Sequence, residues 1–303
     1  MNRTPANRNA VVNSCSNSML RNVPVRTRRL TFLENFAIVV MSKRVIEDTK
    51  PKPVSIGKQE QKLTTVRNQA GSTTPEVVPE SRLPFDIRVA TSTRDIDDLV
   101  ALRSETYAKH GAPGAHLLKV AEAQDGALDA VLLVARAKIG GGVLGSVRIQ
   151  TRAVRPLPVE GAVEFPPALT KASPIELMRG SVRGGSAGRL VSAALAKASF
   201  LVATELGFSH MLVTCRQPVD LMYRTYRFDD LLEGQMISLP YSPGALHRVL
   251  CLPVDQAPAR WQLDNPALLE FMLGVRHPDL LLDFDLIRRR LGATPYVGEA
   301  AVA

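Results

Sequence analysis

The chain has 303 residues, of which 45% are hydrophobic and 22% charged, and its formal net charge at pH 7 is +9. This length suits one sizeable domain with extensions or two small domains. Residues 1–82 hold 14 Lys and Arg against 6 Asp and Glu, whereas residues 83–303 hold 24 against 23. The globular part is therefore close to neutral, which argues against a nucleic-acid-binding domain, and basic tails are usually solvated.

The cysteines, the hydropathy and the histidines indicate the compartment and exclude some classes of protein. Cys15, Cys215 and Cys251 have no paired spacing, so we expect reduced thiols in a cytoplasmic protein. Lys197 and Glu205 interrupt the most apolar helix, so we expect no membrane span. The five histidines form no metal-binding spacing with cysteines or acids, and no metal site is predicted.

Residues 1–82 are predicted to be a disordered basic extension. Residues 1–30 contain six Arg, and no acidic residue precedes Glu34, a composition typical of a transit peptide or of a leader read as protein. On the second interpretation Met41 is a plausible start, so it is open whether residues 1–40 are translated. The following segment, up to Arg82, is rich in Lys, Thr, Gln, Pro and Ser without an apolar period.

From Phe85 the sequence changes to alternating and helical patterns. "FDIRVA" alternates like a strand, and "STRDIDDLVALRSETYA" repeats apolar residues at spacings of three and four, which predicts a helix. Ser92 or Thr93 can cap that helix, with Asp95 in its first turn. Two apolar runs joined by "IGGG" then predict a β-hairpin, residues 129–151.

The second half continues the alternation. "SPIELMRGSV" is predicted to be a strand, "GRLVSAALAKASFLVATELG" a helix ended by Gly207, "HMLVTC" a strand, "PVDLMYRTYRF" a helix and "HRVLCLPV" a strand. This order predicts an α/β fold with a mixed sheet over residues 83–254. Helical patches such as "PALLEFML" and "FDLIRRRL" predict a helical C-terminal extension, residues 255–303.

A glycine-rich turn connects the third strand to the long helix. Its residues are Arg183, Gly184, Gly185, Ser186, Ala187, Gly188 and Arg189. A helix start offers unpaired N–H groups and the positive end of the dipole, which suit a phosphate. The turn matches neither a P-loop nor a dinucleotide fingerprint, so on its own it favours an ordinary connecting loop over an anion-binding site.

The ordered set of "GSVRIQT", "IELMR", the glycine turn with its helix and "LMYRTYRF" resembles the GNAT superfamily of acyl-CoA N-acyltransferases. The resemblance implies a GNAT-like fold and a loop that binds the pyrophosphate of an acyl carrier. Arg183 and Gly188 match the ends of that loop motif, and Ser186 stands where its middle glycine belongs.

Within that superfamily the chain is similar to the acyl-homoserine lactone synthases and the N-acyl amino acid synthases. The residues that carry this similarity are Arg103 and Tyr107 in the first helix, Gly145 and Arg148 in one strand, and Glu176 and Arg179 in the next. The branch also has an acidic pair between helix and hairpin, for which Asp125 and Asp129 are the candidates. The resemblance implies substrate binding by Arg103, Tyr107, Arg179 and these two acids.

The implied activity is transfer of an acyl group from acyl-CoA or an acyl carrier protein to a small-molecule amine, with an amino acid as the expected acceptor. The carrier, with its phosphopantetheine arm, is a co-substrate, so no permanently bound cofactor is predicted. The basic turn in "DLIRRRL" is either a solvated helix face or a docking site for an acidic carrier protein.

Acyl transfer from a thioester to an amine needs a proton acceptor for the ammonium group, donors for the developing oxyanion and a proton for the thiolate. Glu176 can accept the ammonium proton, and burial would raise its pKa; a structural ion pair with Arg179 or Arg148 is the equal alternative. Arg148 either binds an acidic substrate group or neutralises Glu176. Arg103 either orients a carboxylate or the carrier or is solvated.

Tyr223 is the candidate donor to the thiolate. It lies five residues before Phe228, as in the superfamily's Tyr-x-x-x-Gly-Phe, with Arg227 in place of the glycine. Packing in the core is the alternative role of this side chain. Because Ser186 and Arg227 depart from the superfamily pattern, a degenerate binding module for an acyl carrier or a protein partner remains the alternative function. Recruitment to nucleic acid through residues 1–82 is a second, weaker one.

Overall fold

The chain folds around one mixed β-sheet, described for residues 78–292 by a computed structural model. The strands are β1 (Phe85–Val89), β2 (Ala130–Ala137), β3 (Val143–Gln150), β4 (Pro174–Val182), β5 (His210–Cys215), β6 (Asp229–Asp230), β7 (Ile237–Leu239), β8 (Ser242–Pro253) and β9 (Leu280–Leu281). The α-helices are α1 (Thr93–Lys109), α2 (Pro167–Thr170), α3 (Ser186–Glu205), α4 (Val219–Thr225), α5 (Ala257–Asp264), α6 (Pro266–Leu269) and α7 (Phe284–Leu291). Most of the predicted basic extension, including Cys15, lies outside the described residues.

The strand order in the sheet is β6-β8-β5-β4-β3-β2-β1-β9, and β7 pairs with β8. The pairs β4–β5 and β1–β9 are parallel and the other pairs are antiparallel. The predicted α/β fold with a mixed sheet and the predicted order of its elements are confirmed. The structure adds the short strands β6, β7 and β9, which the sequence analysis does not contain.

Alternation along β2 places α1 and α3 on opposite faces of the sheet. Leu132 and Val134 pack with Leu99 of α1, whereas Val131 and Leu133 belong to the main core with α3. The predicted cap of α1 is Ser92, because its Oγ accepts the N–H of Asp95 at 3.1 Å and the Asp95 carboxylate bonds back. Each face is thus closed by one long helix.

Close packing of α3 on the sheet depends on Gly145. A Cβ at this position would lie 2.6 Å from Val191 Cγ1 and 3.0 Å from Leu195 Cδ1. We therefore expect Gly145→Ala to lower the free energy of unfolding by about 1–3 kcal/mol, measured by urea denaturation. Gly142→Ala is the matched control, since a Cβ there meets nothing within 4 Å. Equal stability of the two variants would contradict this packing argument.

In the described part of the chain, residues 256–292 belong to the same core. Trp261 of α5 is fully buried, its ring centroid lies 4.7 Å from that of Phe200, and its Nε1–H donates to the Tyr226 carbonyl at 2.9 Å. At the other end of the described chain, the Ser81 N–H donates to the Arg276 carbonyl at 2.9 Å. The described structure therefore begins before the predicted boundary at Arg82, and the C-terminal helices help to enclose the sheet.

Helix α3 is the central helix of this core. Among the described helices, Ala187–Glu205 is long and apolar enough to cross a membrane by length and composition, with a mean hydropathy of 1.2, yet 61% of that window is buried inside the protein. The core helix of a soluble protein passes the same test. In the described part of the chain Cys215 and Cys251 are buried free thiols, and no group of three or more His, Cys, Asp or Glu residues is placed to hold a metal ion.

Candidate active site

The candidate site lies where β4 and β5 separate. Their parallel pairing ends at Leu177 and Val213, although β4 continues to Val182. In β4 a bulge follows, because Arg148 of β3 pairs with Met178 and Ser146 with Ser181, so that one residue of β3 faces two of β4. Bulges bend a strand and redirect its side chains. The bulge contains Arg179, whose φ of +53° is unusual for a residue with a Cβ.

A cavity of about 460 Å³ fills the gap between these strands. Its lining includes residues from both faces of the sheet. The apolar part includes Leu177, Leu195, Ala196, Val213 and Met222, and the polar part includes Tyr107, Arg179, Thr214, Arg216 and His247. The cavity thus joins an apolar compartment beside α3 to a polar compartment beside α1.

Glu176 of β4 is fully buried beside the polar compartment. Its Oε2 accepts the Val159 N–H at 3.0 Å, and its Oε1 accepts weaker hydrogen bonds from the hydroxyls of Thr214 and Tyr241, both at 3.4 Å. These two hydroxyls are 2.9 Å apart. Thr214 also lines the cavity, so it connects the buried carboxyl to any molecule bound there.

Glu176 does not form the structural ion pair that was its alternative role. In the described chain no Lys, Arg or His is within salt-bridge distance of its carboxyl. Burial is the main cause that raises the pKa of Glu176 to about 7, and the hydrogen bonds from Val159, Thr214 and Tyr241 oppose this rise only in part. A carboxyl with this pKa exchanges protons near neutral pH, as a general base must.

Next to it, three arginines and two acids form a cluster: the buried Arg103, Arg148 and Asp125 and the partly buried Arg179 and Glu122. Arg103 binds the Asp125 carboxylate with two hydrogen bonds of 2.9 Å. Arg179 binds Glu122 through Nε at 2.8 Å and Nη2 at 2.6 Å. Arg148 bridges the two acids, with its Nη1 at 3.0 Å from each. Two parallel N–H···O bonds fix the geometry of such pairs.

The contacts within this cluster can be compared with the roles predicted for Arg103 and Arg148. Arg103 is completely buried, so the solvated alternative is wrong. Arg148 donates to Glu122 and Asp125 instead of Glu176, which shows a structural contact for this predicted catalytic residue. Burial raises the pKa of Glu122, but the hydrogen bond and charge of Arg179 outweigh it and hold that pKa below its usual range.

The structure separates the two acids that the sequence analysis paired. Asp125 lies in the cluster, whereas Asp129 binds Arg155 through Nε at 2.9 Å and Nη2 at 2.6 Å. The partner of Asp125 is Glu122, whose backbone N–H donates to the Asp125 carboxylate at 2.9 Å. The sequence analysis missed Glu122; the spacing of three residues, one helical turn, is the signal that could have indicated it.

Both predicted tyrosines line the cavity. Tyr223 packs edge-on against Phe228, with ring centroids 5.3 Å apart, so it also has the core contacts of its alternative role. No described residue hydrogen-bonds its hydroxyl. Burial raises the pKa of Tyr223 above its ordinary value, so the hydroxyl stays protonated and able to donate.

The glycine turn is a tight start for α3. A Cβ at Gly188 would lie 2.7 Å from the Arg183 carbonyl oxygen, so glycine is required here by the backbone alone. Gly185, with φ of +106°, is the residue before the helix. Arg183 pairs with Glu105 of α1 at 3.1 Å, and Arg189 is exposed. The turn therefore presents positive charge beside the helix N-terminus.

No family model and no curated protein matches the sequence. Solved structures do match it. FeeM, an N-acyl amino acid synthase from uncultured soil microbes, is 14% identical with a TM-score of 0.45, over 58% of this chain and 93% of that chain. TofI, in a ternary complex with an inhibitor and MTA, is 17% identical with a TM-score of 0.44, over 61% and 100%. An acyl-CoA N-acyltransferase from Pseudomonas aeruginosa is 15% identical with a TM-score of 0.37, over 55% and 98%. Identities this low assign no activity or substrate to the chain.

Proposed function

We propose that the protein is a GNAT-type N-acyltransferase that moves an acyl group from an acyl carrier thioester to the amine of an amino acid. The observation that carries the proposal is Glu176, a fully buried carboxyl without an ion-pair partner among the described residues, with a pKa of about 7, next to the cavity. Burying a carboxyl in this way is unfavourable for folding, and groups with such perturbed pKa values concentrate at functional sites.

The proposed reaction begins with loss of one proton from the acceptor's ammonium group. The proton passes to the Thr214 hydroxyl while the hydroxyl's own proton passes to Glu176, which the 3.4 Å Oγ1–Oε1 contact allows after a small approach. The neutral amine then attacks the thioester carbonyl carbon, the C–N bond forms and the C–S bond breaks. The nitrogen releases its second proton to solvent as the amide forms. The thiolate takes a proton from the Tyr223 hydroxyl, which is restored from solvent.

The two compartments of the cavity suit the two substrates. The apolar part, beside α3, offers contacts for an acyl chain, and the polar part lies beside Glu176, where the amine must react. The phosphate end of the carrier would lie against the turn from Arg183 to Arg189, whose exposed arginines and helix N-terminus attract anions. Either acyl-CoA or an acyl carrier protein presents the phosphopantetheine arm that this arrangement would bind.

Tyr223→Phe separates proton donation from packing, because it removes only the hydroxyl. If the hydroxyl protonates the thiolate, the transfer rate constant falls about 10²-fold while the melting temperature changes little. Steady-state rates and thermal unfolding check both values. An unchanged rate would leave Tyr223 with a packing role alone.

The proposal is tested by incubating the purified protein with acyl-CoA and acyl carrier protein thioesters of increasing chain length together with a mixture of amino acids. Mass spectrometry should then detect an N-acyl amino acid that is absent without protein. Binding of thioesters without any product would favour the binding-module alternative, and neither binding nor product would refute the carrier site as well.

A further inference from the structure

Arg216 lines the cavity and has no acidic partner in the part of the chain that the structure describes. Four basic residues line the cavity, Arg179, Arg216, His110 and His247, and among the described residues no Asp or Glu does. Glu122 neutralises Arg179 through two hydrogen bonds. Arg216 forms no ion pair with any described residue and is only half-buried, so its guanidinium is available to a bound molecule.

Arg216 lies next to His247. The antiparallel pairing of β5 with β8 ends at Cys215 and Arg248, and Arg216 and His247 are the residues directly beyond this last pair on the two chain segments. Both line the cavity. His247 is buried, and its Nδ1 is 3.2 Å from the Ala245 carbonyl oxygen. Burial lowers the pKa of His247 first, and the charges of Arg216 and Arg179 lower it further. The polar compartment is therefore electropositive.

This pair lies on the Glu176 face of the sheet. Leu212 and Val249 pack together on the face opposite α3, and side chains two residues apart in a strand share a face. Thr214, which bonds Glu176, and then Arg216 follow Leu212 at this spacing, and His247 precedes Val249 by two residues. Thr214 lies in β5 and Arg216 directly follows its last residue, so the two are about 7 Å apart if the chain stays extended, a span that an arginine side chain bridges. Both residues line the cavity.

We propose that Arg216, beside His247, binds the carboxylate of the amine acceptor, which makes the acceptor an amino acid or another amine with an anionic group. The inference rests on the proposed function and adds the residue that selects this substrate class. The Thr214 hydroxyl then faces the ammonium group while Arg216 holds the carboxylate. The phosphate of the acyl carrier is the other anion that could bind an arginine here. The glycine turn proposed for that phosphate lies before α3, whereas Arg216 follows β5.

The test measures binding and needs no turnover. The full chain, with isotope-labelled histidine, is titrated with each of the common L-amino acids and with their C-terminal amides, and separately with coenzyme A. The amide lacks the carboxylate and therefore the charge-assisted hydrogen bond to Arg216. We expect at least one amino acid to bind about tenfold or more tightly than its amide. Binding of its carboxylate should also raise the pKa of His247, read from the ring resonances.

Arg216→Gln should remove the preference for the acid over the amide. Arg224→Gln is the matched control, since Arg224 pairs with Asp230 at 3.2 Å and does not line the cavity. Equal binding of every amino acid and its amide to the wild type overturns the inference. The inference is also overturned if the Arg216→Gln variant no longer binds coenzyme A but still prefers the amino acid over its amide. Binding that depends on Arg216 without product from any thioester supports the site and refutes the proposed function.

Discussion

Replacing Glu176 with Gln is expected to lower the rate constant of acyl transfer by about 10²- to 10⁴-fold, the usual contribution of a general base. Gln has the same shape and can accept the Val159 N–H, so the site should stay intact while the proton acceptor is lost. Steady-state kinetics with saturating thioester measure the effect. Glu164→Gln, at an exposed position, is the control with the same chemical change. Equal rates for the two variants would exclude Glu176 as the base.

The same variant should be more stable than the wild type at alkaline pH. The pKa of Glu176 rises from an ordinary 4.5 to about 7 on folding, so below pH 4.5 the carboxyl is neutral in both states and contributes nothing. Between about pH 4.5 and 7 the unfolded chain loses the proton and the folded chain keeps it, so the free energy of unfolding decreases by on the order of 3 kcal/mol. Glu176→Gln removes this decrease, which urea denaturation at pH 5 and pH 8 measures.

The second large effect concerns the cluster of three arginines and two acids. Asp125→Ala should lower the free energy of unfolding by about 3–5 kcal/mol, because it leaves Arg103 and Arg148 buried with only Glu122 to neutralise them. Arg103 is entirely shielded from solvent, so water cannot replace the lost carboxylate without unfolding the surroundings. Urea denaturation at pH 7 measures the loss.

Asp129→Ala is the informative comparison, since the sequence analysis paired Asp129 with Asp125. Its partner, Arg155, has a side chain that is 41% exposed and regains water when the acid is removed. We expect a loss of about 1 kcal/mol and an unchanged KM for the acceptor. If the two variants lose the same stability, Asp129 contributes as much as Asp125, and its separation from the arginine cluster is wrong.

Regular elements could be predicted because their patterns are local. Alternation in "FDIRVA", the Ser92 cap and the three consecutive glycines of the hairpin each act over a few residues. The strands β6, β7 and β9 have two or three residues, too few to show any period, and exist only because β8 and β1 offer them partners.

The site was predictable only in part. Glu176 was found from its place in "IELMR", and the period of two places Glu176 and Arg179 on opposite faces of a regular strand, which already argues against their ion pair. Thr214 and Tyr241 were missed, because they reach Glu176 through contacts between residues 38 and 65 positions apart. Such contacts leave no local pattern.

The ionisation of Glu176 in the purified protein is the most direct test, since it requires no knowledge of the substrates. In NMR spectra of the chain labelled at the glutamate carboxyl carbon, Glu176→Gln identifies the signal by its absence. We predict a midpoint at about pH 7 for this signal, because burial raises the pKa of Glu176 by more than its hydrogen bonds and the charge of Arg148 lower it. A midpoint near the ordinary value of 4.5 would contradict the assignment of Glu176 as the proton acceptor.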